Sequence, residues 1–337
     1  MTDRPTDPTD PSAAPAAIVR PDVAAFLAYL NNVPGPRMHE LAPAAARAML
    51  LAMKDVSDLP PGELATIEDL SFEGPAGPLR ARLFDPRATR APGPAVVFFH
   101  GGGWVIGDLD TYAGFCAEMA RQLDLPVVSI DYRLAPEARW PAAPDDAEAA
   151  ARWVATSPAA LRRGVTALVL AGDSAGGNLA IVVAAALRDA PAAVPVIVQA
   201  PIYPATDASR AYPSFASFAD GYLLTREGMR WFDDHYRGDP HHARFSPLLG
   251  EVAGLPRAVI VTAGLDPIRD QGRAYAAALA QAGVAVTYRE AVGNIHGFVT
   301  LRRAIPSSQG DVSGFLAAVR AAVNEAEGER VLRQAAR

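Results

Sequence analysis

From residue 95 onward the chain alternates short, unbroken apolar runs with segments of helical periodicity, a pattern few folds can accommodate. The apolar runs cover 95–99, 126–130, 167–170 and 194–200, with two more at 258–262 and 284–288. Helical spacing of apolar residues predicts helices over 111–123, 145–156, 174–187, 270–281 and 314–325. A strand that is apolar on both faces must be covered on both faces, as happens when helical crossovers flank a parallel sheet. Right-handed crossovers then give an α/β fold with a mostly parallel, doubly wound sheet.

Two segments depart from this alternation. Ahead of the first parallel strand, 67–72 and 79–84 read as short strands joined by Gly74–Pro75–Ala76–Gly77, an antiparallel N-terminal hairpin. Between Tyr203 and Leu249 the chain is instead rich in aromatic residues and carries one short helical pattern, over 225–236. A long insertion between strands usually has a function when it is ordered. The expected organisation is a disordered leader at 1–17, N-terminal cap helices at 18–60 and a catalytic α/β unit at 61–202 and 250–330. A second cap segment occupies 203–249. The cap helices are read from Phe26, Leu27 and Leu30, then from Leu41, Ala45, Met49 and Leu50, with Pro34–Gly35–Pro36 between the two patterns.

Composition removes several classes of function. The 337 residues are half hydrophobic and carry a net charge of −6, with the basic residues scattered, so no nucleic-acid partner is expected. Cys116 is the one cysteine, which rules out an intrachain disulfide and reads as a small buried side chain. The longest apolar stretches are too short to cross a bilayer, and 1–17 lack the apolar core of an export signal. A cytoplasmic protein without stable membrane association is expected. The sequence leaves room for a homodimer.

The chemistry centres on Gly172–Asp173–Ser174–Ala175–Gly176–Gly177, which follows the strand at 167–170 and opens a helix. A strand-to-helix turn that tight needs small neighbours, and it projects the Ser174 hydroxyl from the carboxyl edge of the sheet. A second motif, His100–Gly101–Gly102–Gly103–Trp104, ends the strand at 95–99. Three successive glycines leave backbone N–H groups free to approach an oxyanion, and the Ala175 N–H would complete such a hole. His100 reads as a brace for that loop rather than as a base.

A serine nucleophile needs a base, and the base needs a carboxylate to orient it. Of six histidines, His296 alone follows the last expected strand, whereas His235, His241 and His242 read as solvated and His39 lies in the N-terminal segment. Asp266, in the turn after 258–262, is preferred as the acid to Asp270, which opens the next helix as a cap or surface charge. Asp131, Arg133 and Glu137 are expected to be structural, pairing within their turn or bracing His100 and the oxyanion loop. Asp239 with His241 and His242 is the nearest thing to a metal set, but adjacent side chains diverge, so no metal and no cofactor is expected.

Taken in order, HGGGW at 100–104, DYRLAPE at 131–137, GDSAGGN at 172–178, DP at 266–267 and HGF at 296–298 resemble the bacterial hormone-sensitive-lipase-like esterases, the GDSAG branch of the α/β-hydrolase fold. The resemblance covers about residues 66–325, and the helical N-terminus is similar to that family's cap. It implies a triad of Ser174, Asp266 and His296, an oxyanion hole from Gly102, Gly103 and Ala175, and a two-part cap over a short acyl pocket. Trp104, Phe215, Tyr222, Leu223 and Phe298 are the expected pocket residues. The implied activity is hydrolysis of short- to medium-chain acyl esters, small molecules, through an acyl-enzyme. An amide or aryl-acylamide hydrolase and a non-catalytic small-molecule binder of the same fold remain the alternatives.

Overall fold

The computed structural model describes residues 18–335, so the leader expected at 1–17 lies outside the described residues. A hairpin of β1 (Thr66–Gly74) and β2 (Gly77–Asp85) leads into six parallel strands. These are β3 (Gly93–Phe99), β4 (Val127–Asp131), β5 (Val165–Asp173), β6 (Val196–Ile202), β7 (Arg257–Leu265) and β8 (Val286–Ile295). Their order in the sheet is β1-β2-β4-β3-β5-β6-β7-β8, with β2 antiparallel to β4.

Alternation along the strands builds two cores from one sheet. Val97, Phe99, Val128, Leu168, Leu170 and Ile260 face α4 (Ala142–Ala155), α5 (Ala175–Asp189) and α8 (Arg269–Gln281). Val96, Phe98, Val127, Val169, Val259 and Val261 face α3 (Ala113–Leu123) and α9 (Ser308–Ala335). Both faces are dry, as the continuous apolar runs require. Cys116 sits in the second core, where burial pushes its thiol up to about 12.

Two expected elements come out differently. The last strand was expected at 284–288 but runs to Ile295 through Tyr288, Arg289 and Glu290. It is an edge strand paired only with β7, so polar side chains can face water without penalty. Helix α9 begins at Ser308 rather than 314. Its first turn is held by contacts distant in sequence, Asn294 Nδ2 donating to Asp311 at 2.9 Å and to Ser308 Oγ at 3.1 Å.

Four helices lie at the carboxyl ends of the strands: α1 (Pro21–Asn32), α2 (Pro43–Ser57), α6 (Pro213–Ser217) and α7 (Arg226–Tyr236). Val23 and Leu27 of α1 join Phe218 in a third apolar cluster with Leu265, Ile295, Leu301 and Ile305. The Trp231 indole on α7 donates to the Leu41 carbonyl at 3.1 Å, tying the two sets of helices together. Arg20 makes a bidentate pair with Asp311 at 2.6 and 3.0 Å. At the end of α2, Asp58 holds Arg302 at 2.7 and 2.8 Å with both side chains buried. Among the described residues, no helix is long and apolar enough to cross a membrane.

Candidate active site

Ser174 sits between β5 and α5 at φ 54°, ψ −116°, a strained conformation for any residue but glycine. Its N–H donates to Ile202 O at 2.8 Å, and its carbonyl accepts from Asn178 at 3.0 Å. The turn closes only because residue 176 is glycine: a Cβ there would land on the backbone oxygen of Phe99. Asn178 then fastens the following insertion, its amide donating to Ala205 O at 2.9 Å and Phe245 O at 2.8 Å.

His296 follows β8 and reaches both partners. Its Nε2 is 2.9 Å from Ser174 Oγ, and its Nδ1 is 2.7 Å from Asp266 Oδ2. A carboxylate against Nδ1 puts the proton on Nδ1 and leaves the Nε2 lone pair facing the serine. Asp266 has no exposed surface, and its other oxygen accepts from the Ile268 N–H at 2.9 Å. Asp270 is engaged elsewhere: it accepts from the Ser214 N–H at 2.9 Å, seating α6, and from Arg269 at 2.9 Å.

The oxyanion loop approaches from β3. Among the described residues, the N–H groups of Gly102, Gly103 and Ala175 have no backbone or side-chain acceptor. The loop is closed by Val105 and Ile106, whose N–H groups each donate to Gly102 O at 3.0 Å. From α2, Arg47 donates to Val105 O at 2.8 Å and Ala135 O at 2.7 Å, and pairs with Glu137 at 2.7 and 2.9 Å. Gly103, at φ 57°, leaves room for the Phe232 ring, which a Cβ would strike.

His100 is wholly buried, with its Nδ1 2.7 Å from Gly101 O. Burial lowers its pKa, so the ring is neutral and donates from Nδ1. It stacks on Tyr132 at 4.3 Å, and the Tyr132 hydroxyl donates to His100 O at 2.7 Å. Asp131, Arg133 and Glu137 do not pair within their turn, but Glu137 braces the glycine loop through Arg47, which holds Val105 O. Each reaches another element: Asp131 takes Arg80 at 2.6 Å, Arg133 takes Asp146 at 2.7 Å, and Glu137 takes Arg47. The brace for His100 from this motif is Tyr132, an apolar-looking residue that pattern reading passes over.

The five residues expected to line the pocket divide. Leu223 is partly exposed at φ 71° and lies within van der Waals reach of a Cβ on Gly297, the residue after His296. Tyr222 packs edge-on to Phe218 at 5.2 Å, and Phe215 lies beneath the Arg226 guanidinium at 5.5 Å. Trp104 and Phe298 instead pack inward. Trp104 stacks on Tyr236 at 4.4 Å, and Phe298, with no exposed surface, sits edge-on to Tyr203 at 5.2 Å. Phe232 packs against the core from α7 and is also the ring over Gly103.

Asp173, the residue before the nucleophile, was given no role by sequence reasoning. Its Oδ1 accepts from the Gly101 N–H at 2.7 Å, and its Oδ2 from the hydroxyls of Tyr112 at 3.0 Å and Tyr203 at 3.3 Å. Burial pushes its carboxyl up to about 6, against the opposing pull of these donors and of His296. A polar residue ahead of the nucleophile on a buried strand was the available signal.

A family model described as the alpha/beta hydrolase fold matches residues 96–300. The carboxylic ester hydrolase LipN of Mycobacterium tuberculosis is 41% identical over 282 residues, covering 80% of this chain and 74% of LipN. The ethyl acetate hydrolase of Pseudomonas putida is 37% identical over 297 residues, covering 84% of this chain and 92% of that protein. A solved ester hydrolase from the metagenome of Lake Arreo, complexed with a bipyridine phosphonate derivative, superposes with a TM-score of 0.84. It is 38% identical and covers 90% of this chain and 99% of its own. The chain belongs to the α/β-hydrolase family, in its hormone-sensitive-lipase-like esterase branch.

Proposed function

We propose that this chain is a carboxylesterase that cleaves short- to medium-chain acyl esters, with Ser174 as nucleophile, His296 as general base and Asp266 as the orienting acid. The observation that carries the reading is the continuous relay from Ser174 Oγ through His296 to Asp266, at 2.9 and 2.7 Å, beside three unengaged N–H groups. Named relatives that are ester hydrolases support the same chemistry.

His296 Nε2 takes the Ser174 proton as Oγ attacks the ester carbonyl carbon. The carbonyl π pair moves onto oxygen, where the N–H groups of Gly102, Gly103 and Ala175 receive it; each such donor is worth roughly 3 kcal/mol in the transition state. The imidazolium returns its proton to the departing alkoxide oxygen as the acyl–oxygen bond breaks. Water then adds to the acyl-enzyme with His296 again as base, releasing the acid and restoring Ser174. Phe232 over Gly103, with Leu223 near Gly297, bounds the space for the substrate chain.

A p-nitrophenyl ester series from acetate to palmitate, run beside a p-nitroanilide, tests the proposal. Each buried methylene adds about 0.8 kcal/mol, so kcat/KM is expected to rise to a maximum at about four to eight carbons and then fall. Ser174→Ala is expected to lose on the order of a millionfold in kcat. A folded Ser174→Ala protein keeping a tenth of the activity refutes the nucleophile, and faster turnover of the anilide moves the enzyme to amide hydrolysis.

A further inference from the structure

Six carboxylates are buried among the described residues: Asp58, Asp85, Asp146, Asp173, Asp207 and Asp266. Five have a cationic or imidazole partner, respectively Arg302, Arg90 with Arg163, Arg133, Arg210 and His296. Asp173 alone has none, and a buried charge without a counter-ion works against stability. Its contacts lead to both halves of the active site.

We propose that Asp173 is an ionised positioning residue for catalysis, fixing the oxyanion loop through the Gly101 N–H and setting a second negative charge, beside that of Asp266, in range of His296. The proposal rests on the esterase reading above. On the loop side, Gly101 is held at both ends, its N–H by Asp173 and its carbonyl by His100 Nδ1 at 2.7 Å. In a planar trans peptide the Gly101 carbonyl and the Gly102 N–H point in opposite directions. Anchoring that carbonyl on His100 therefore turns the Gly102 N–H away from the buried cluster, free for an oxyanion. On the base side, Tyr203 donates to Asp173 while its ring lies 4.6 Å from the His296 ring. The His296 charge works against the upward push of burial on the Asp173 carboxyl. A negative charge there favours the imidazolium that forms as Ser174 attacks.

The groups facing Asp173 isolate its titration. They are Tyr112 ahead of α3, Cys116 within α3, Tyr132 after β4, Tyr203 after β6 and His296 after β8. Burial keeps the three phenols and the thiol protonated, and it keeps His100 neutral. With the carboxyl pushed up to about 6, the Asp173 charge is lost as pH falls through that value.

The test is the pH profile of kcat for p-nitrophenyl butyrate in wild type, Asp173→Asn and Tyr112→Phe, with Tm as a fold control. Asparagine keeps an oxygen for Gly101, removes the charge, and replaces the acceptor of the Tyr112 and Tyr203 hydroxyls with an NH2 donor, to which those hydroxyls must turn to accept. We expect its kcat to fall about tenfold with KM little changed, the scale of one lost charge interaction near the reacting centre. Its acid limb is expected to move to lower pH, since there is no longer an Asp173 charge to be lost as pH falls. Tyr112→Phe removes a donor that favours the carboxylate, so its acid limb is expected to move to higher pH while the alkaline plateau is retained.

A folded Asp173→Asn protein with wild-type kcat and an unmoved acid limb overturns the proposal. If that variant does not fold, Tyr112→Phe decides: a limb shifted upward supports the proposal, and a stationary one overturns it. Butyrate hydrolysis by wild type that disappears in Ser174→Ala keeps the esterase reading whichever way the limbs move. A wild type that leaves the ester intact overturns both.

Discussion

Replacing Asp266 by asparagine turns one hydrogen bond around, and the surroundings dictate which way the new amide faces. Asp266 Oδ1 accepts from the Ile268 N–H at 2.9 Å in a site with no solvent exposure. The asparagine must keep its oxygen there, because turning the amide would bury two donors against each other at a cost of about 1–3 kcal/mol. Its NH2 then points at His296 Nδ1, now 2.7 Å from Asp266 Oδ2, and Nδ1 has to accept. The ring proton moves to Nε2, which faces Ser174 Oγ at 2.9 Å and can no longer take the serine proton. The carboxylate that stabilises the imidazolium is lost as well. Together these are expected to lower kcat by about four orders of magnitude, roughly 5–6 kcal/mol, with little change in KM. Stopped-time assays with p-nitrophenyl butyrate at pH 7.5 measure the loss, with Asp270→Asn as the control. Asp270 seats α6 through Ser214, so its replacement is expected to lower Tm and leave kcat nearly intact. Asp266→Asn keeping a tenth of wild-type kcat, or the two variants exchanging phenotypes, would refute the assignment of the acid.

Two further outcomes follow from particular contacts. Phe232→Ala removes the ring over Gly103 and is expected to raise the ratio of octanoate to butyrate kcat/KM about 15- to 60-fold, the value of two to three extra buried methylenes; an unchanged ratio places the acyl chain elsewhere. Asp58→Ala leaves Arg302 buried without its partner and is expected to cost about 3–5 kcal/mol, read as a reduced urea midpoint.

The sheet was legible because its inner strands are apolar on both faces: Val96 through Phe99 are all fully buried, and a continuous run is the signature of that condition. The edge strand β8 was legible only in part, because Arg289 and Glu290 need no burial and so leave no apolar run. Ser174 and His296 could be found from motif context and chain order. The Asp266 position followed from the turn after β7, and the structure brings it to His296 rather than Asp270. What the pattern could not convey was pairing across distance. Asp173 meets Tyr112 and Tyr203, 61 and 30 residues away, and Arg47 meets Val105 across 58. The aromatics show a related limit. Trp104 and Phe298 neighbour catalytic residues in the chain yet point inward, whereas Phe232 lies far along the chain and lands on the oxyanion loop.

The two ion pairs that seat the N-terminal helices have a consequence for how this enzyme can be re-engineered. Arg20–Asp311 and Asp58–Arg302 both reach the segment after His296, and Arg20 also donates to Val292 O before it, so α1 and α2 are fastened to the chain around His296. A library that redraws those helices would disturb the base before it reached the substrate. The segment from Phe218 to Phe232 carries no such ion pair to the His296 turn among the described residues, yet it supplies Leu223 and Phe232 to the mouth of the site. Diversity introduced there is expected to alter which esters are accepted while the relay stays registered, which makes that short stretch the natural target for selecting new ester preferences.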